Sequence, residues 1–356
     1  MFVAWRDLRS ARGRFALMGT VVILMTLLVV MLSGLTAGLG KQSTSAITGL
    51  SADHITFAVP SGSGGPSFTE SMVTQAQWQQ LAKAPGVRSA HPLGITSVKA
   101  STTGDARTAG LSAFGVQPTS GIAPGPVSPG SVVLSTGAAE ALSVSQGDQI
   151  VVSGRALTVA AVAGDASFSH TPVVWMSLVD WQRLSPGAGD RATVVAVTTD
   201  STSSLAATDK RLGTDTIAKS DSLAAIGSYS SENGSLQMMR GLLFAISALV
   251  IGAFFTVWTI QRSRDIAILK ALGATTRYLL RDALGQAVVL LVGGTLVGSA
   301  LAAGLGALAS GTVPFVLSAS TVLFPAAVMI ALGAVGAALS VRRITSVDPL
   351  TALSGH

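Results

Sequence analysis

Side chains able to do chemistry are few in this 356-residue chain, and most fail on spacing. The four histidines, His54, His91, His170 and His356, form no His-Glu-x-x-His zinc helix and read as surface or core residues. Cysteine is absent, which removes thiolate nucleophiles, thiolate metal sites and disulfides. The run ending in Gly40-Lys41-Gln42-Ser43 imitates a phosphate loop, yet Leu35 stands where glycine is needed, Gln42 where Ser or Thr is needed, and no strand precedes it. Serine is abundant, but a Ser/His/Asp triad is a matter of geometry, and none is assigned. One cluster remains. Tyr229, Glu232, Met238, Met239 and Arg240 fall within twelve residues and offer a phenol, a carboxylate, two thioethers and a guanidinium. If a helix runs through them, Tyr229 and Glu232 share a face and Met239 returns to it. Met31, far away in sequence, is a further thioether that could face them. The bland alternative makes Glu232 a solvated charge, Tyr229 an interface anchor, the methionines packing, and Arg240 a snorkelling cation.

What must position such a cluster is a membrane. Residues 283–341 are fifty-nine positions without Lys, Arg, Asp or Glu. As helix they would extend about 88 Å against a hydrocarbon core of about 30 Å, so they cross twice. The natural turn is Gly311-Thr312-Val313-Pro314. Two further uncharged windows lie between Arg14 and Lys41 and between Arg240 and Arg262. Four spans are therefore expected, at 15–39, 236–261 (with an outer stalk before the apolar run from 240), 283–308 and 319–341. The first is too long for the apolar core of a signal peptide and is read as an anchor.

Orientation follows from charge. The flanks 1–14, 262–282 and 342–356 carry eleven basic and four acidic residues, whereas 41–239 carries eleven and thirteen. Basic excess marks the inner side, so both termini and the 262–282 connection are expected in the cytoplasm and the large insert outside. The net charge of +6 is thus a topology signal and gives no reason to expect nucleic acid. Phe2, Trp5 and Leu8 beside Arg6, Arg9 and Arg12 fit an amphipathic helix over 1–14 lying on the inner lipid surface.

The insert, 40–235, reads as α+β. Strands are expected at 54–59, 93–100, 132–134, 149–152, 156–162, 173–176 and 193–197, and helices at 71–83 and 136–142. A hairpin should turn at Ser153-Gly154-Arg155, and the Gly/Pro-rich stretch 118–130 suggests a break between two subdomains.

One helix, a large outside domain and three more helices resemble the MacB/FtsX family of ABC-transporter permeases. So does the cytoplasmic run Arg262-Ser263-Arg264-Asp265-Ile266-Ala267-Ile268-Leu269-Lys270-Ala271-Leu272-Gly273-Ala274-Thr275, as do Gly147-Asp148 before a hairpin and the ending Asp348-Pro349-Leu350-Thr351-Ala352-Leu353. Arg12-Gly13-Arg14-Phe15-Ala16-Leu17-Met18-Gly19 and the stretch from Leu32 to Gly40 are similar to the haem-efflux branch, the HrtB type. The resemblance implies a non-catalytic permease in the bacterial plasma membrane, working as a homodimer among membrane lipids. It also implies a separate nucleotide-binding subunit that holds ATP and Mg2+ and pushes on Leu269, Leu272, Gly273, Ala274 and Thr275. Gly273 would allow a sharp turn before Thr275 or Thr276 caps the next helix. Haem is the implied cargo, with no permanently bound cofactor. For that cargo the phenolate, carboxylate and thioethers of Tyr229, Glu232, Met239, Met238 and Met31 are suitable axial ligands or neighbours, and Arg240 a propionate partner. Other branches imply a signal relay controlling a cell-wall hydrolase, or a MacB/Lol-like permease for antibiotics or lipoproteins.

Overall fold

The computed structural model describes residues 12–59, 64–104, 107–200, 205–261, 268, 273, 275–309 and 313–345. The chain opens on α1 (Arg12–Thr48), then β1 (His54–Ala58), α2 (Gln75–Leu81), β2 (Val87–Thr102), β3 (Thr108–Val116) and β4 (Ser131–Leu134). It continues through α3 (Thr136–Leu142), β5 (Gln149–Val152), β6 (Arg155–Val162), β7 (Ser167–Phe168), β8 (Thr171–Ser177) and α4 (Leu178–Leu184). Next come β9 (Val194–Thr199), α5 (Leu205–Leu212), β10 (Thr214–Ala218) and α6 (Lys219–Ser222), followed by the long helices α7 (Gly227–Gln261), α8 (Thr276–Ala309) and α9 (Ala319–Thr345). Two compact units result, one of Leu39–Gly234 and one of Met1–Gly38 with Ser235–His356.

Within the second of these, α1, α7, α8 and α9 are each long and apolar enough to cross a membrane. All four run further than the uncharged windows suggest, α9 by only four residues, to Thr345. α1 continues to Thr48, because nothing between Lys41 and Thr48 breaks a helix and Thr44 returns its hydroxyl to Gly40 O at 2.8 Å. α7 begins at Gly227, nine residues before the expected start. α8 begins at Thr276, well before 283. Small residues set the helix contacts, as expected where apolar burial gives no preference over lipid. A Cβ on Gly298 would meet Ile23 O at 2.6 Å, so α8 lies directly on α1. One on Gly336 would meet Gly252 Cα at 3.2 Å, and Thr256 and Ser340 share a 2.8 Å hydrogen bond across that α7–α9 contact. The expected turn at 311–314 lies partly outside the described residues. Beyond it the chain folds back, with the Phe315 ring against Gly34 of α1 and Gly306 of α8 and Val316 N donating to Gly34 O at 3.1 Å.

The Leu39–Gly234 unit is built on one sheet in the order β10-β1-β9-β2-β3-β8-β4-β6-β5, with β7 on β8 and a further β2–β5 pairing. That last pairing, Ala100 to Thr102 against Val152 to Ile150, closes six strands into a ring. Side chains alternate between two cores, as strand geometry requires. Val132, Leu134, Val174 and Met176 face α2, α3, α4 and α5 through Trp78, Leu142, Trp181 and Leu205. Val133, Val173, Trp175, Phe114 and Phe57 face the other way, onto Ala46 and Ile47 of α1 and Ile226. On this second side Phe57, Phe68, Phe168 and Phe114 stack edge to face and Trp175 continues the chain at a tilt, with successive centroids 4.9 to 5.6 Å apart.

Two expectations are corrected here. The stretch 118–130 does not divide the domain, because β3 before it and β4 after it both pair with β8 in the same sheet. The helix expected at 71–83 shortens to α2. Ser71 is taken by strand contacts, accepting from Ala58 N and donating to Thr193 O at 2.7 Å, and the start is fixed by a Thr74–Gln77 capping box.

Candidate functional site

Of the residues weighed from sequence, Tyr229 and Glu232 lie in the Leu39–Gly234 unit, at the start of α7 and near the end of α1 and the β7–β8 hairpin, whereas Met31, Met238, Met239 and Arg240 belong to the other unit. The hairpin turns on Ser169 and His170, with Phe168 paired to Thr171. Both turn residues have positive φ, 50° and 65°. That is the twist-compatible two-residue turn, and without glycine it costs on the order of 1 kcal/mol or more per residue.

What holds it is a set of contacts on three sides. Phe168 is buried in the aromatic chain. The amides of Ser169 and His170 donate to Ser43 O and Gln42 O of α1 at 3.1 and 3.3 Å. Ser45 Oγ accepts from Ser167 N at 2.8 Å, and Ser169 Oγ meets Ser228 Oγ of α7 at 2.8 Å. Lys41 adds an exposed 2.6 Å ion pair to Asp165, which holds that carboxyl below its ordinary value chiefly through the hydrogen bond.

The imidazole of His170 is thereby delivered between the two helices. Its Nε2 lies 2.8 Å from Glu232 Oε2 and 2.9 Å from Ser43 Oγ. A serine nucleophile, an orienting acid and a shared histidine would need the two ring nitrogens to serve opposite partners. Here both partners meet the same nitrogen, so the group is a hydrogen-bonded clasp with no charge-relay geometry. Tyr229 is partly buried against the second core. A Cβ on Gly40 would sit 3.6 Å from its ring, an ordinary contact distance, so the phenol lies beside α1.

Tyr229, Glu232, Met238, Met239 and Arg240 all lie on α7. By helical periodicity alone, Tyr229, Glu232, Met239 and Arg240 share an arc of about 100°, whereas Met238 points away from it. Met238 is also the more exposed of the pair, 71% against 48%. Arg240 is not simply a free cation, since its guanidinium lies 5.6 Å from the Phe324 ring centroid on α9. Met31 is partly buried on α1. His170 is the residue that sequence spacing missed, being 62 positions from Glu232. Its only local signal was a two-residue gap between Phe168 and Thr171.

Of the coupling candidates, Leu269, Leu272 and Ala274 lie outside the described residues, as does the amphipathic segment 1–11. Gly273 has φ of 92°, a turn that favours glycine. Thr275 caps α8, its Oγ1 accepting from Tyr278 N at 3.3 Å. Among the described residues no group of three or more His, Asp or Glu side chains could hold a metal ion.

Comparison with known proteins agrees with this architecture. The family model for the MacB-like periplasmic core domain matches residues 15–214, and that for the FtsX-like permease C-terminal region matches 238–349. A permease protein of Staphylococcus haemolyticus named for a hemin transport system, HrtB, is 26% identical over 360 residues, covering 100% of this chain and 99% of its own. An uncharacterized ABC transporter permease of Mycobacterium tuberculosis is 24% identical over 365 residues with the same coverage. Among solved structures, the periplasmic region of MacB from Actinobacillus actinomycetemcomitans covers 49% of this chain and 92% of its own, with 13% identity and a TM-score of 0.38. Four membrane helices, a β-rich domain between the first and second, and a family match over more than half of the length lead to one conclusion: the chain belongs to the MacB/FtsX family, as a multi-pass ABC transporter permease of a bacterial membrane.

Proposed function

We propose that this permease exports haem, taken up from the membrane at the outer start of α7. The observation that carries the reading is Tyr229 and Glu232 one turn apart at that helix start, beside the outer end of α1. Phenolate and carboxylate are oxygen donors suited to ferric haem; the thioether of Met239 and the guanidinium of Arg240, further along the same helix, are chemically suited to iron and to a propionate. Similarity to permeases named for hemin transport, along the whole length of both chains, supports the same cargo.

The ATPase partner that the family implies drives transport from the cytoplasmic side. Two copies of the permease and two ATPase subunits form the working assembly, with ATP and Mg2+ bound on the partner. The stroke enters through the apolar Leu269 and Leu272 before the Gly273 turn and the Thr275 cap. Both termini lie in the cytoplasm, and the β-rich domain acts outside as cover or exit guide.

Haemin titrated into the full-length protein in lipid nanodiscs tests this. A Soret band that shifts on binding, and that weakens in Tyr229→Phe, Glu232→Gln and Met239→Leu, is the expected result. A wild-type protein with no haemin spectrum removes haem as cargo and returns the choice to a signal relay or another amphiphile.

A further inference from the structure

Glu232 is the only acidic residue on α7, and its carboxylate is already engaged. Its partner, His170, comes from a hairpin that is fastened to α1 by main-chain and side-chain hydrogen bonds and rooted in the core by Phe168. The backbone of His170 sits at φ 65°, a conformation that persists only where surrounding contacts impose it. Both side chains are partly buried, 29% and 43% exposed, so the contact at 2.8 Å is neither free in solvent nor locked in a core. A carboxylate oxygen that accepts from an imidazole N–H has less of its lone-pair density to give to an incoming cation.

Resting on the haem-export reading, we infer that His170 is a positioning residue that latches the Glu232 carboxylate, and that cargo taking Glu232 as a ligand must first break the His170 bond. The latch presents the carboxylate toward α1 in the empty protein. Cargo binding then releases the His170–Glu232 link between the β7–β8 hairpin and α7, while Ser169–Ser228 remains. Site occupancy is thereby signalled to the sheet.

The test is haemin titration of the full chain in nanodiscs, with His170→Ala and with His170→Asn, which keeps a residue suited to positive φ but is too short to reach Glu232. Removing the competing contact should tighten haemin binding about threefold to fivefold, the worth of a half-exposed charged contact. In a Glu232→Gln background the same changes should have no such effect, a non-additivity that a merely structural role would not produce. Hydrogen exchange of residues 165–171 should rise when haemin is added to the wild type and stay flat in Glu232→Gln. If wild type binds haemin and Glu232→Gln weakens it, but the His170 variants bind unchanged or more weakly, the latch is overturned while the cargo stands. If wild type binds no haemin, both fall.

Discussion

Trp181 of α4 lays its ring where two glycines face each other, Gly94 of β2 and Gly115 of β3, which are direct partners in the sheet register. A Cβ on either residue would run into the Trp181 side chain, whose ring is almost wholly buried. Overpacking at a fully packed site costs typically 1–3 kcal/mol, so Gly115→Ala should destabilise by about 2 kcal/mol. Thermal unfolding of the full-length protein should show this as a midpoint lowered by about 5 °C. A midpoint equal to wild type would mean that α4 is free to shift. His91, partly buried on β2, makes a second residue-scale prediction. Burial is the larger influence and lowers its pKa, while a hydrogen bond donated by the imidazole to the Gln117 side chain opposes it. The unfolded chain therefore binds the proton more readily, and this contribution weakens folding as pH falls through the ordinary histidine range near 6.5. His91→Gln should flatten the loss of stability between about pH 7 and pH 5, measured by the same unfolding transition.

At the scale of elements, the fold-back after α8 turns two glycines of α1 into a seat for the chain. Gly34 and Gly38 are four apart, a spacing that often lets two membrane helices approach closely. In this protein that face is filled from within, by Phe315 against Gly34 and by the Pro314 carbonyl against Gly38. Any contact of α1 with a second copy must therefore use another face. Phe315→Ala should lower stability by about 2 kcal/mol, roughly half the cost of emptying a fully buried phenylalanine site, without affecting insertion. Lost insertion, read by membrane fractionation, would instead give the loop a role in biogenesis. Much of the element pattern was legible in advance. α3 sits at the expected residues, and the β5–β6 hairpin turns at Ser153 and Gly154, where φ is 46° and 84°. β3 was not legible, because Thr108–Val116 is interrupted by Gly110, Ser112 and Gly115 and is buried on both faces at its end, so no alternation shows. α4 was missed although Ser177 and Asp180 have capping spacing, because β8 runs into it without a break. The site was half legible for a related reason. Tyr229 and Glu232 are neighbours by helix period, but His170 reaches Glu232 only through sheet register and hairpin twist.

For the whole molecule, the question is how force made elsewhere reaches the outer site. Helices α1 and α7 each have residues in both units, so the chain along them is the covalent route for force. Absence of cysteine makes the orientation directly measurable. A single Ser131→Cys, on partly exposed β4, should react with a membrane-impermeant maleimide added outside intact cells. Protection of that thiol until the cells are opened would invert the topology. With the sheet outside, the proposed motor contact falls on the opposite side, at the apolar pair before the Gly273 turn. Leu269→Ala with Leu272→Ala removes both leucines of that segment while leaving the flanking arginines that set topology. An interface anchor of this kind carries about 2 kcal/mol, so losing one should weaken ATPase association about thirtyfold and the double variant should weaken it further. Export should fall with it, while membrane insertion and haemin binding by the permease alone remain. Unchanged export at unchanged expression would place the motor contact elsewhere, whereas loss of haemin binding would show that the pair supports the fold of the permease itself.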